Sequence, residues 1–252
     1  MKRKNVFSLA AAALLAFAAT SRAQTVDDVI AKNIQAHGGL EKLKAIKSLR
    51  TTAKFSQGSF RAETVQENKR PEKVREEFII QGMAQVQAYD GKTGWQVNPF
   101  GGRKDAELMA AEDMKSLIVD SDIDGPLVDY ASKGNKVQLD GTETVEGRPC
   151  YRLQLTLGNG QVRHVWIDAQ TFLELKMEGS PRRMDGRMRM VTTYMREYKS
   201  EGGLMIPHVL ETAVEAGKKS HKMTIQAVAA NAALDDSLFS RPAVLVAASP
   251  LK

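Results

Sequence analysis

The sequence predicts an antiparallel α+β domain with a strongly curved sheet and few helices. Three observations carry this reading. Short runs that alternate polar and apolar residues fill residues 50–97 and again 135–228, each bounded by Gly, Pro, Asn or Asp. Helical spacing of apolar residues is confined to the stretch after residue 24 and to a segment near residue 110. No linker, low-complexity block or internal repeat divides residues 24–252, so they read as one domain with a sizeable core.

In chain order, the first element is not part of that domain. Lys2, Arg3 and Lys4 precede an apolar run from Val6 to Ala19, and Ser21-Arg22-Ala23 places small residues at −3 and −1 of a cut before Gln24. This is the pattern of a cleaved secretory signal, and the run is too short to span a bilayer with such flanks. No cysteine lies near the cut, so no lipid anchor is expected there. The formal charge of the whole sequence is +6; without the four cations of residues 1–23, which hold no acid, it falls to near +2. A basic nucleic-acid surface therefore loses its main support. The single cysteine, Cys150, excludes an internal disulfide framework and reads as a small buried hydrophobe.

Next comes a helix. Thr25 with Asp28 forms a capping-box entry, Val26, Val29, Ile30 and Ile34 recur at helical spacing, and Gly38-Gly39 supplies the stop. A short second helix carries Leu40, Leu43 and Ile46. Strands follow in "RTTAKFSQ", "SFRAETVQE", "EKVREEFIIQ", "MAQVQAYD" and "GWQVNP". The segment "DAELMAAEDMKSLIV" breaks the alternation and predicts a helix through Leu108, Met109, Ala111, Met114, Leu117 and Ile118. The second strand block holds "KVQLDG", the long run from Cys150 to Glu178, "MRMVTTYMREYK", "MIPHVLETAVE" and "HKMTIQAVA". Gly158-Asn159-Gly160 and Asp168-Ala169-Gln170 supply turns within it.

Three motifs invite sharper chemistry. Gly91-Lys92-Thr93 resembles the end of a phosphate-cradling loop, but Val86 stands where that loop needs its first glycine, and strand rather than helix follows. A Tyr-Asp-Gly hairpin turn fits better. "DSDIDG", residues 120–125, matches the first half of a calcium loop, yet Ala131 occupies the position of the closing bidentate glutamate. Met177, Met184, Met188, Met190 and Met195 lie among arginines. They lack a closing histidine for copper; flexible thioethers also suit the wall of a cavity that accepts variable apolar ligands, or an ordinary core. His37, His164, His208 and His221 are scattered, and no nucleophile elbow or Cys/His signature is present. No enzyme, cofactor or bound metal is expected.

Several segments together resemble the LolA/LolB-like periplasmic carrier superfamily, the outer-membrane lipoprotein-sorting proteins. They are "AHGGLEKLKAIKSLR", "KRPEKVREEF", "AYDGKTGWQVNP", "DIDGPLVDY", the hairpin from "VEGRPCYRLQLT" to "HVWIDAQTFLELK", "GGLMIPH" and "LDDSLFSRP". The resemblance implies an open half-barrel whose apolar concave face is partly covered by helices. It also implies an exported periplasmic carrier that holds acyl chains of lipids or lipoproteins non-covalently. Implied partners are those acyl chains and docking proteins at the inner or outer membrane, with no nucleic acid, and the chain is expected as a monomer.

Strand parity supplies candidates for the cavity wall. Val74, Phe78 and Ile80 share one face, Trp95 and Val97 share one, and Tyr151, Leu153, Leu155 and Leu157 form the cleanest apolar stripe. Met188 and Met190 complete the set. The same parity fits a core filled by helices. Alternatives to a carrier are a periplasmic sensor of lipids or mislocalised lipoproteins built on the same fold, and an unrecognised periplasmic enzyme or metal binder.

Overall fold

The computed structural model describes residues 24–179, 182–184, 187–214 and 219–242. The export signal expected in residues 1–23 lies outside the described residues, as does the apolar "AVLVAA" near the C-terminus.

Helix α1 (Val26–Ala36) begins at Thr25, whose hydroxyl accepts from the Asp28 amide while the Asp28 carboxylate accepts from the Thr25 amide. That reciprocal pair satisfies donors that the first turn cannot satisfy itself. Val29, Ile30 and Asn33 form its buried side. Gly38 and Gly39 then turn the chain at φ +118° and +93°, and α2 (Leu40–Ala45) follows.

Six strands form the first meander: β1 (Ser48–Gln57), β2 (Phe60–Lys69), β3 (Lys73–Ile80), β4 (Met83–Tyr89), β5 (Gly94–Asn98) and β6 (Arg103–Leu108). Helix α3 (Ala111–Asp120) comes next. The alternation-breaking segment is therefore strand up to Leu108 and helix only from Ala111. Pairing of Trp95 with Leu108 and Gln96 with Glu107 supplies backbone partners that helical spacing of Leu108 and Met109 cannot reveal.

The second block contains β7 (Lys136–Val145), β8 (Arg148–Thr156), β9 (Val162–Asp168), β10 (Glu174–Glu178), β13 (Val191–Glu201), β14 (Leu204–Val214) and β15 (Lys219–Ala230). A separate hairpin pairs β11 (Arg182–Met184) with β12 (Arg187–Arg189). Among the described residues, thirteen strands form one antiparallel sheet in the order β6-β5-β4-β3-β2-β1-β15-β14-β13-β10-β9-β8-β7. The last strand pairs with the first, so two meanders join at a β1–β15 seam. β6 and β7 are opposite edges that do not pair, so the curved sheet stays open rather than closing into a barrel.

Pairing carries one face through the whole sheet. Leu153 pairs with Val165, Val165 with Met177, Met195 with Leu210, Leu210 with Met223, Met223 with Phe55, and Thr64 with Phe78. Helix α1 packs on this inner face at one end, against Leu153, Leu155, Val165 and Ile167. Helix α3 packs on it at the other, where Leu117 meets Val74 and Tyr89. The outer face has cores of its own. Val86, Ala88, Trp95 and Ala106 form one, and Val145, Cys150 and Trp166 another. The C-terminal segment runs over the first, where Phe239 is fully buried and its carbonyl accepts from Trp95 Nε1 at 2.7 Å.

Candidate functional site

The inner face leaves a cavity of about 360 Å³ between the helices and the sheet. Its walls are Ile34 of α1, Leu43 of α2, Leu49 of β1, Val165 of β9, Met177 of β10, Met195 of β13 and residues 204–207 of β14. Residues 122–128, leading out of α3, close one side with Ile123, Pro126, Leu127 and Val128. A concave, mostly apolar space with a few convergent polar groups is the usual form of a small-ligand site.

The polar groups at one end belong to a single network. Glu174, near the start of β10, accepts from Asn33 Nδ2 at 3.0 Å and from the Tyr198 hydroxyl at 3.2 Å. His37 Nε2 lies 2.6 Å from Glu174 Oε2, and its Nδ1 lies 2.8 Å from the Met205 carbonyl oxygen. Both ring nitrogens thus face oxygen acceptors, which suits an imidazolium donating twice beside a carboxylate. Burial pulls the His37 pKa down, but the hydrogen bond and charge of Glu174 outweigh it and the net shift is upward. For Glu174, burial pushes up and the His37 contacts prevail, holding it below the usual carboxylate range. Burial and the neighbouring Glu174 push the Tyr198 phenol well up, so it stays protonated as a donor. The network fastens α1 to β10, β13 and β14 across the end of the cavity.

At the other end the acidic loop is occupied by cations. Asp124 pairs with Arg70 and with Lys44 Nζ at 2.8 Å, and Asp122 with Lys133 Nζ at 2.5 Å. Burial works against the Asp124 charge, yet the Arg70 and Lys44 contacts lower its pKa. Among the described residues no group of three or more His, Cys, Asp or Glu side chains is arranged to hold a metal ion. In "DSDIDG", Asp122 and Asp124 are engaged in ion pairs with these cations. Gly91-Lys92-Thr93 is likewise a turn: Asp90 Oδ1 accepts from the amides of Lys92 and Thr93, both at 2.8 Å.

The sequence-derived wall residues do not share one place. Tyr151, Leu153, Leu155 and Leu157 lie on the inner face, where α1 already fills the space above them. Val74 is fully buried beneath α3. Phe78 lines a second inner-face groove, and Ile80 lies two residues further along the same strand. Trp95 and Val97 are on the outer face, because they pair with Ala88 and Val86, opposite in parity to Tyr89 and Gln85. Register thus removes these two from any inner-face cavity. Met190 is exposed, and the Met188 side chain lies outside the described residues. Of the five methionines singled out, Met177 and Met195 line the cavity. Sequence reasoning passed over Ile34, Leu49 and Ile206; their only signal is apolar character at the ends of elements.

A family model described as "Uncharacterized protein" matches residues 107–244, more than half of the chain. No curated protein matches it. Among solved structures, a LolA superfamily protein from Nitrosomonas europaea is similar with a TM-score of 0.58 and 13% identity, over 86% of this chain and 97% of that one. A DUF1329 family protein from Desulfovibrio piger is similar with a TM-score of 0.46 and 12% identity, over 86% of this chain and 98% of that one. The chain therefore belongs to the family described as "Uncharacterized protein", and its fold is that of the LolA superfamily.

Proposed function

We propose that this protein is an exported periplasmic carrier that binds one acyl chain of a lipid or lipoprotein, non-covalently, in the cavity beneath α1 and α2. On this reading residues 1–23 are the export signal, residues 24–252 act as one binding domain, and no chemistry is performed on the cargo. The observation that carries it is the cavity wall of Ile34, Leu49, Met177, Met195 and Ile206. Transfer of an acyl chain from water yields about 0.8 kcal/mol per CH₂, so eight buried methylenes supply about 6 kcal/mol before ordering costs. Thioethers at two wall positions accommodate chains of different length without a fixed fit. Acidic side chains at the cavity ends are already paired, which leaves the apolar middle as the surface a ligand gains by covering.

Native mass spectrometry of protein purified from membranes, with lipid extraction, tests this. Stoichiometric acyl lipid released on denaturation is expected. Met177→Asp, which sets a carboxylate in the apolar wall, is expected to lower the melting temperature and, in the folded fraction, to carry no lipid. Wild-type protein that is consistently empty, or Met177→Asp protein that retains lipid, would sink the carrier reading.

A further inference from the structure

Beyond the helices, the inner face changes character. Cross-strand pairing sets Thr51, Gln66, Glu76, Gln87 and Gln96 in one row across β1 to β5. Neighbouring strands are about 4.8 Å apart, so this is a ladder of polar side chains nearly 20 Å long on the inner face. Gln85 lies beside it, paired with Phe78 in the adjacent row. All are half-buried, and Thr51, Gln66, Glu76, Gln85 and Gln87 line a groove of about 400 Å³. Gln66 Nε2 donates to Asn68 Oδ1 at 3.1 Å, and Gln87 Nε2 approaches Gln96 Oε1 at 3.5 Å, the outer limit for such a bond. Half-buried amides cost stability unless something satisfies them, so their concentration in a groove favours a ligand with many donors and acceptors.

The flanks narrow the chemistry. Phe78 lines the groove and meets the Phe55 ring edge-on at 5.2 Å, while His221 lies over Phe55 at 4.9 Å. Burial lowers the His221 pKa, keeping that ring neutral at neutral pH. Among the described residues that line the groove there is no Lys or Arg, while Glu76 and Glu77 bring carboxylates to it, a lining that disfavours phosphate or sulfate. Amides, hydroxyls, the Glu76 carboxylate and aromatic faces together suit an uncharged polyhydroxylated group, whose hydroxyls donate to the carboxylate and exchange hydrogen bonds with the amides, and whose C–H faces lie on the rings. The groove also adjoins the acyl cavity: Leu49 lines the cavity, while Thr51 and Ala53, the next inner-face positions of β1, line the groove.

We propose that the amide-lined groove binds a neutral, sugar-like head group of the amphiphile whose acyl chain occupies the adjoining cavity. This rests on the carrier reading for the tail but not for the head. Calorimetric titration of the full chain, below micelle-forming concentrations, would use octyl β-glucoside, octyl sulfate, octyltrimethylammonium and tail-free methyl β-glucoside. Octyl glucoside is expected to bind about tenfold more tightly than either charged amphiphile, the equivalent of one or two net hydrogen bonds. Gln87→Leu is expected to remove that advantage and leave octyl sulfate unchanged; Gln85→Met serves if the first variant does not fold. Equal affinity for all three heads, tighter binding of a charged head, or variants that keep the full preference would overturn the groove and spare the carrier reading. Binding of methyl glucoside that Gln87→Leu abolishes, with no gain from the octyl tail, would sustain the groove and overturn the carrier. No binding of any probe overturns both.

Discussion

His37 and Glu174 lie 137 positions apart in the chain and 2.6 Å apart in space. Their opposite pKa shifts fix the sign of a pH dependence. Glu174, lowered in the folded state, contributes stability above its ordinary value of 4.5 and loses it as pH falls through its folded value. His37, raised in the folded state, contributes fully below 6.5 and loses it as pH rises through its folded value. The clamp on α1 is therefore complete near pH 5 to 6 and weakens toward alkaline pH. Thermal melts from pH 6 to pH 9 should show a falling midpoint that His37→Gln largely flattens; parallel curves for the two proteins would contradict the imidazolium assignment. Gly38 makes a second prediction of the same kind. A Cβ there would meet the Gly203 carbonyl oxygen at 2.4 Å, and φ is +118°. Gly38→Ala should destabilise by more than about 1 kcal/mol in urea titration, because neither the backbone nor the β13–β14 turn can yield cheaply.

Among the elements, the β8 stripe shows how parity can be right about direction and silent about occupancy. Leu153 and Leu155 are fully buried, but the atoms above them are Val29 and Ile30 of α1. Leu153→Ala should therefore cost about 2–5 kcal/mol in equilibrium unfolding and leave lipid occupancy of the folded fraction unchanged. Loss of lipid without loss of stability would move the binding surface onto this stripe. The meander β3–β5 teaches the complementary point. "YDGKTGW" forms the tight turn that its Asp-Gly pair indicates, yet that turn puts Trp95 on the outer face, donating to the Phe239 carbonyl. Local sequence indicates that Trp95 and Val97 share a face; which face depends on their partners in β4.

Across the whole molecule, the β1–β15 seam makes one sheet of two meanders, and the cavity takes walls from both sides of it. A ligand there would touch Leu49 in the first strand of the chain and Ile206 in the next-to-last. Binding should thus stabilise the fold as a unit: an acyl ligand at about one hundred times its Kd should add about 2.7 kcal/mol. Differential scanning calorimetry should show one transition moving upward with ligand. Splitting into two transitions, only one of them ligand-sensitive, would mean that the meanders unfold separately.

Most strands (β6 excepted), the capped first helix, its Gly-Gly stop and the two-block plan were legible because each rests on short-range physics: alternation, capping and turn preferences. Local signals also disposed of the nucleotide and calcium motifs, since missing glycine and glutamate are visible without a fold. The pairing of the last strand with the first, the side of the sheet each helix covers, and the meeting of His37 with Glu174 were decided only by tertiary structure. The polar row from Thr51 to Gln96 belongs with them, for its members are scattered singly through five strands. Periodicity tells a residue which neighbours share its face, but a cavity is the space left between faces, and that depends on contacts across more than a hundred residues.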